Sequence, residues 1–281
     1  MTYGGRPKQS NQEATAPHRL DRKQGVLYSS LMGRSWLRIA HRGASGSAPE
    51  HTRCAFERAL ALGVDMIELD VQLSRDQELV VLHDRELERT TTGTGLVRDH
   101  DFPDLMTLDA GSWFAPEFAG ERVMSLREVV LLVADRARLN VEIKAPPQDW
   151  HVLAKELTTL LRRQGQLHRT VISSFEPGAL QALRTQASDA RLGLLWQGPD
   201  FTEAWRWLRE LHAASIHPHW LLVREDFLCT ARQHGVQVLV WTVNEVETMR
   251  ELVRREVDGI ISDFPERFRL VAGPALEVGT A

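Results

Sequence analysis

Cysteine is scarce in this chain: Cys54 and Cys229 are the only two in 281 residues, and they stand far apart. That spacing excludes a thiolate zinc cluster and a disulfide framework. Both are expected as small buried thiols in a reducing compartment. No run of about 18 apolar residues occurs, so no transmembrane helix is expected. The first 30 residues also lack the apolar stretch of a signal peptide, which points to the cytoplasm. Lysine is rare as well, with Lys8, Lys23, Lys144 and Lys155 the only four among 34 basic residues. Lys144 therefore stands out from an arginine-rich background. The formal net charge of -4 offers nucleic acid no general attraction, so no such partner is expected. Nothing in the sequence bears on oligomeric state.

What is present has the texture of an α/β protein. Residues 1–34 are polar and aperiodic and are expected to form a tail, with Met1 or Met32 as the start; residues 276–281 form a second, short tail. Between them, a domain over 35–275 alternates short apolar runs with amphipathic stretches. Strands are expected at 37–40, 66–71, 139–144, 170–174, 192–196, 213–217, 237–242 and 259–262. Helical patterns follow them near 52–62, 126–136, 150–164, 178–187, 201–211, 224–234, 245–255 and 265–271. Ser125 with Glu128 and Asn244 with Glu247 read as capping boxes, and Gly63 and Gly235 as helix stops. Eight strands alternating with eight helices is the arithmetic of a TIM-type (β/α)8 barrel. An open doubly wound sheet is the alternative, but no glycine-rich dinucleotide fingerprint follows the first strand. One connection, about 72–124, is far too long for a simple loop. It opens with a hairpin over 71–82, shows no obvious helix, and reads as an insertion over the barrel mouth.

Barrels carry their chemistry at the C-terminal strand ends. Here those ends are His41-Arg42-Gly43, Glu68-Leu69-Asp70, Glu142-Ile143-Lys144 and Trp241, and the hairpin returns to His83-Asp84. Glu68 and Asp70 are two residues apart on a strand and so share a face. Carboxylates aimed inward require protons, partners or a cation. With Glu142 they make a hard-oxygen set suited to Mg²⁺ or Ca²⁺; an ion-pair network with Lys144 and Arg42 is the structural alternative. His41 and His83 suit general acid–base work, Arg42 presents a fork that matches phosphate, and Gly43 permits close backbone approach to a ligand. His217 and His219 flank Pro218 at the end of the sixth strand and could line the mouth, but are expected in loop structure. Trp241 is a pocket wall or barrel packing. The 90–95 run TTTGTG reads as a flexible turn with no P-loop lysine after it. Trp205 and Trp207 read as surface packing on their helix.

These residues fall in stretches that strongly resemble one family. IAHRGAS (39–45), PEHT (49–52), IELDVQLSRD (67–76), VVLHD (80–84) and LERTTTGTG (87–95) are similar to the glycerophosphodiester phosphodiesterases. LDAGSWF (108–114), VEIK (141–144), WTVN (241–244) and GIISDFP (259–265) continue the match, in order, across about 38 to 265. The resemblance implies a TIM-type barrel with a family insertion after the second strand. It also implies hydrolysis of small-molecule glycerophosphodiesters to glycerol 3-phosphate and an alcohol. His41 and His83 would be the acid–base pair, Glu68, Asp70 and Glu142 the cation ligands, and Arg42 and Lys144 the phosphate binders. Glu50 falls at a family position near the site, with Trp241 and Phe175 as further pocket residues. His51 departs from the family's usual asparagine. Two alternatives accompany this reading. A barrel that only binds phosphodiesters would be expected to have lost one of the five catalytic and ligand residues, and all five are present. A lysophospholipase D would favour an apolar rim, for which Phe102, Leu105, Trp113, Phe114 and Phe118 are candidates.

Overall fold

The computed structural model describes Met1 and residues 36–271. The expected tails at 1–34 and 276–281, and the question of Met32 as a start, lie outside these residues, Met1 apart. Eight parallel strands close into a barrel: β1 (Leu37–His41), β2 (Met66–Leu73), β5 (Arg138–Ile143), β6 (Thr170–Ser174), β7 (Arg191–Trp196), β8 (Ser215–Pro218), β9 (Gln237–Val240) and β10 (Gly259–Ser262). Each pairs with the next in that order, and β1 pairs with both β2 and β10, which closes the ring. Between them run α1 (Arg53–Ala61), α3 (Leu126–Val133), α4 (Trp150–Arg163), α5 (Pro177–Gln186), α6 (Thr202–Glu210), α7 (Glu225–His234) and α8 (Val246–Arg254). The final helical pattern becomes a 3₁₀ turn leading into α9 (Phe268–Val271). Parallel strands covered by helices must be apolar on the outer face. Accordingly Ile67, Leu69 and Val71 of β2 join the core beneath the helices.

The inner face is layered. Ile39, Met66, Val171, Leu239 and Ile261 form a separate apolar floor inside the barrel. Burial of each such side chain stabilises by about 1.5–3 kcal/mol. Toward the C-terminal ends of the strands the interior turns polar, with Asn140 accepting from Ser173 Oγ at 2.9 Å. His217 belongs here and not to a loop: it lies in β8, fully buried, with Nε2 2.8 Å from Ser215 Oγ. Gly193 makes room for it, since a Cβ there would stand 2.6 Å from His217 Nε2.

Burial pushes the His217 imidazole down to about 3. The folded protein therefore leaves it neutral at pH values where the unfolded chain, titrating near 6.5, takes up a proton. Stability from this group is present above about 6.5 and is lost as pH falls toward 3, at up to about 1.4 kcal/mol per pH unit. Chemical denaturation between pH 7 and 4 should show a shallower loss in His217→Gln than in the wild type. Parallel profiles would show that His217 is not held neutral.

The long connection is an inserted subdomain. β3 (Leu79–Val81) turns back antiparallel on β2 with Val71 opposite Val81, as the hairpin reading requires, and β4 (Met124–Ser125) pairs with β3. A one-turn helix absent from the sequence reading, α2 (Phe102–Leu105), lies between them. Val80, Leu82, Leu87, Val97, Leu105, Ala110 and Val123 give the insertion its own core. Thr90 and Thr91 are buried in it, and Thr91 Oγ1 donates to Leu87 O at 2.7 Å. The TTTGTG run is thus held in place by its own hydrogen bonds.

Of the helix signals, the Ser125–Glu128 capping box forms, and Gly63 and Gly235 adopt positive φ at the ends of α1 and α7. The Asn244–Glu247 box does not. Asn244 is drawn away to Asp263 and Ser262, and α8 is preceded by Glu245 with no side-chain cap. Trp205 and Trp207 are partly buried against the barrel's helix layer. The thiols also differ from expectation. Cys54 is half-buried and Cys229 exposed, because both sit on helix faces turned from the core.

Candidate active site

Strand register assembles the acidic cluster. Asp70 lies opposite Glu142 and Glu68 opposite Asn140 across β2 and β5, while His41 on β1 lies opposite Glu68. The carboxylates of Glu68, Asp70 and Glu142 offer oxygens within 4.8 Å of one another, and all three residues are buried. Arg42 Nε stands 3.3 Å from Asp70, and Lys144 Nζ 2.5 Å from Glu142 and 3.5 Å from Asp70. Two cations against three buried carboxylates leave a negative charge to be balanced. Burial, then the charges of Asp70 and Glu142, hold the Glu68 carboxyl well above its ordinary range. Burial and Asp70 push Glu142 up to about 7. Burial opposes ionisation of Asp70 too, but His51, Arg42 and Lys144 overcome it and keep that carboxyl well below its usual value. Both Asp70 oxygens and Glu142 Oε1 have ion-pair neighbours but no aligned hydrogen bond. Buried carboxylate oxygens with acceptor capacity left over fit a hard divalent cation.

Two histidines face this cluster, and each is held from behind. His41 Nδ1 lies 2.6 Å from Asp263 Oδ1, and its Nε2 turns inward to 3.8 Å from Glu68. Asn244 donates to the other Asp263 oxygen at 2.7 Å, and Ser45 Oγ donates to Oδ1 at 3.1 Å. Burial disfavours the Asp263 anion, yet these partners hold its carboxyl at about 2. His83 Nδ1 lies 2.6 Å from Asp84, which Arg89 grips in turn. Burial lowers the His83 imidazole below its ordinary value. A carboxylate on Nδ1 fixes the tautomer and leaves Nε2 to exchange protons with whatever occupies the pocket.

The pocket holds about 110 Å³ and is lined by His41, Arg42, Glu68, His83, Glu142 and Lys144 on one side and by Phe175, Leu195 and Trp241 on the other. Phe175 and Trp241 meet edge to face at 5.5 Å, and Lys144 Nζ lies 5.7 Å from the centre of the Phe175 ring. Trp241 is both wall and packing, since its indole donates to His217 O at 2.7 Å and it rests on the barrel floor. Glu50 lies behind the pocket, accepting from Arg42 at 2.8 Å and from Arg89 at 2.8 and 3.0 Å, and so ties the insertion to the first loop. Gly43, with φ +84 and a Cβ that would stand 2.8 Å from the Ala55 backbone, lets the loop pack on α1.

The residues expected at the site thus lie at one mouth, with Glu50 behind it, and three further partners join them. Asp263 directly follows β10 and Asp84 follows His83, so both stand at strand ends where the barrel rule looks for chemistry. His51 gave less warning. It is buried with φ +62, and its Nε2 lies 3.2 Å from both Asp70 N and Asp70 Oδ2. Helix α1 is unaffected by the departure from asparagine, because Thr52 caps it by accepting from Ala55 N.

Comparison with known proteins places the chain in a family. Residues 41–267 match the model of the glycerophosphoryl diester phosphodiesterase family. A glycerophosphodiester phosphodiesterase of Caldanaerobacter subterraneus is 39% identical over 82% of this chain and 95% of its own. A phosphodiesterase of Oleispira antarctica, solved with the product sn-glycerol-3-phosphate, superposes with a TM-score of 0.79 at 28% identity, covering 83% of this chain and 95% of its own. A glycerophosphodiester phosphodiesterase structure from Agrobacterium tumefaciens gives a TM-score of 0.74 at 31% identity, over 83% of this chain and 98% of that one. The chain belongs to the glycerophosphoryl diester phosphodiesterase family, a family of phosphoric diester hydrolases.

Proposed function

We propose that this enzyme hydrolyses glycerophosphodiesters to sn-glycerol 3-phosphate and an alcohol, with His41 and His83 as its acid–base pair. The observation that carries the proposal is the pair of carboxylate-oriented imidazoles facing a pocket built on three buried carboxylates. Glu68, Asp70 and Glu142 would hold Mg²⁺ or Ca²⁺, which when bound lowers the pKa of a nearby hydroxyl and offsets charge developing on phosphate. Arg42 and Lys144 supply the cationic face for the phosphate oxygens. One histidine takes the proton from the glycerol hydroxyl beside the phosphoester as that oxygen bonds to phosphorus. The other protonates the departing alcohol as its P–O bond breaks. The cyclic phosphate so formed is opened by water with the roles reversed. Holding nucleophile and phosphorus in one molecule lowers the barrier by several kcal/mol.

The lipid-directed alternative draws little from the structure. Leu105 is buried, Phe102 packs on the insertion's core, and none of the five candidate rim residues lines the pocket. Among the described residues no helix is long and apolar enough to cross a membrane. The two free thiols, Cys54 and Cys229, fit a reducing, cytoplasmic setting. The test is to supply glycerophosphocholine, glycerophosphoethanolamine, glycerophosphoinositol and a lysophospholipid to the cation-loaded enzyme, and to measure glycerol 3-phosphate from the three diesters and lysophosphatidic acid from the lysophospholipid. Release from the three water-soluble diesters supports the proposal; hydrolysis of the lysophospholipid alone would overturn it.

The Asp263 contact makes a sharper demand. Asn at this position keeps the shape but offers an amide where His41 Nδ1–H needs an acceptor. Asp263→Asn is expected to lower kcat by roughly 10²–10⁴-fold, with an unchanged melting temperature. Wild-type turnover in this variant would show that His41 needs no orienting carboxylate.

A further inference from the structure

The catalytic pocket, of about 110 Å³, is small beside a whole diester. The glycerol hydroxyl must meet the carboxylate cluster, so the glycerol half takes this pocket and the alcohol half must leave it. A second cavity, of about 240 Å³, lies alongside, and Lys144 lines both. Its walls come from three segments at the same barrel end: Gln72 of β2, Arg85, Glu86 and Arg98 of the insertion, and Asp149 after β5. Arg98 meets Asp149 at 3.4 Å and ties two of those walls together. Gln72 Nε2 donates to Leu82 O and to Asp84 O at 3.0 and 2.6 Å, so the segment carrying His83 also forms the cavity's edge. Arg85 and Glu86 are exposed, and neither side chain makes a hydrogen bond or ion pair among the described residues.

We propose that this second cavity is the subsite for the departing alcohol, and that it selects a small polyhydroxylated alcohol, such as glycerol or inositol, over a quaternary ammonium. The proposal rests on the hydrolase reading above. Its chemistry follows from the lining. Guanidinium groups donate to hydroxyl oxygens, and carboxylates and the Gln72 amide oxygen accept from hydroxyl protons. A trimethylammonium group offers no hydrogen bond and is best held by aromatic faces, and no aromatic side chain lines this cavity. Arg85, two residues beyond His83 in the chain, lines this cavity with a guanidinium that has no partner among the described residues, and it is the specificity residue. Losing one hydrogen bond to a hydroxyl corresponds to a loss of about 5–10-fold in kcat/KM.

The experiment measures kcat/KM for glycerophosphoglycerol, glycerophosphoinositol and glycerophosphocholine with the cation-loaded full chain. It then repeats the series in Arg85→Ala and Arg85→Glu. The wild type is expected to favour both polyol diesters, and each variant to lower the polyol-to-choline ratio by about 5–10-fold or more, mainly through KM. A wild-type preference for the choline diester, or a ratio unmoved in both variants while turnover persists, overturns the subsite and leaves the hydrolase reading standing. Failure to release glycerol 3-phosphate from any of the three by the loaded wild type overturns the hydrolase reading, and the subsite with it.

Discussion

Replacing His41 or His83 by alanine should lower kcat by roughly 10²–10⁴-fold, the range for acid–base groups. The fold should survive both changes, because each ring is only part-buried and anchored by one carboxylate. The double variant should fall little further than the worse single variant if the two act in one concerted proton transfer, since groups that act as a unit are not additive. The check is kcat by glycerol 3-phosphate release, with circular dichroism for folding. A single variant within about threefold of wild type would remove that histidine from the acid–base role.

A substrate lacking the hydroxyl next to the phosphoester should bind and stay intact. Internal attack needs that oxygen, and without it the proximity advantage of several kcal/mol is gone. The 2-deoxy analogue is therefore expected to act as a competitive inhibitor with a Ki near the substrate's KM, and to release alcohol at least about 10³-fold more slowly. Efficient hydrolysis of the deoxy compound would require direct attack by water with the same residues.

How much of this was legible in the sequence varies with the physics involved. The eight barrel strands were readable because parallel strands covered by helices must be apolar, and the strand-end rule then placed His41, Glu68, Asp70, Glu142 and Lys144 at one mouth. The hairpin was equally plain, since a polar turn separates two apolar runs in phase. His217 was misplaced because a histidine beside proline reads as a loop, whereas its burial depends on a void at Gly193 on the neighbouring strand. The Asn244 cap failed for a similar reason. A local signal lost to a tertiary partner, Asp263, nineteen residues away. The His41–Asp263 pairing joins the first and last barrel strands, so only closure of the ring brings it about. The insertion's short helix and internal core were hidden because their apolar residues follow neither a helical nor a strand period.

In the proposed mechanism a divalent cation held by Glu68, Asp70 and Glu142 is required for diester hydrolysis. The most direct measurement follows glycerol 3-phosphate release from a glycerophosphodiester by wild type and Glu68→Gln, after chelation and after readdition of Mg²⁺ or Ca²⁺, with calorimetric titration of the cation alongside. Chelation is expected to abolish turnover, one of the two ions to restore it, and Glu68→Gln to stay folded but bind the ion at least about 10-fold more weakly. Full turnover in excess chelator, by protein that contains no metal, would contradict it.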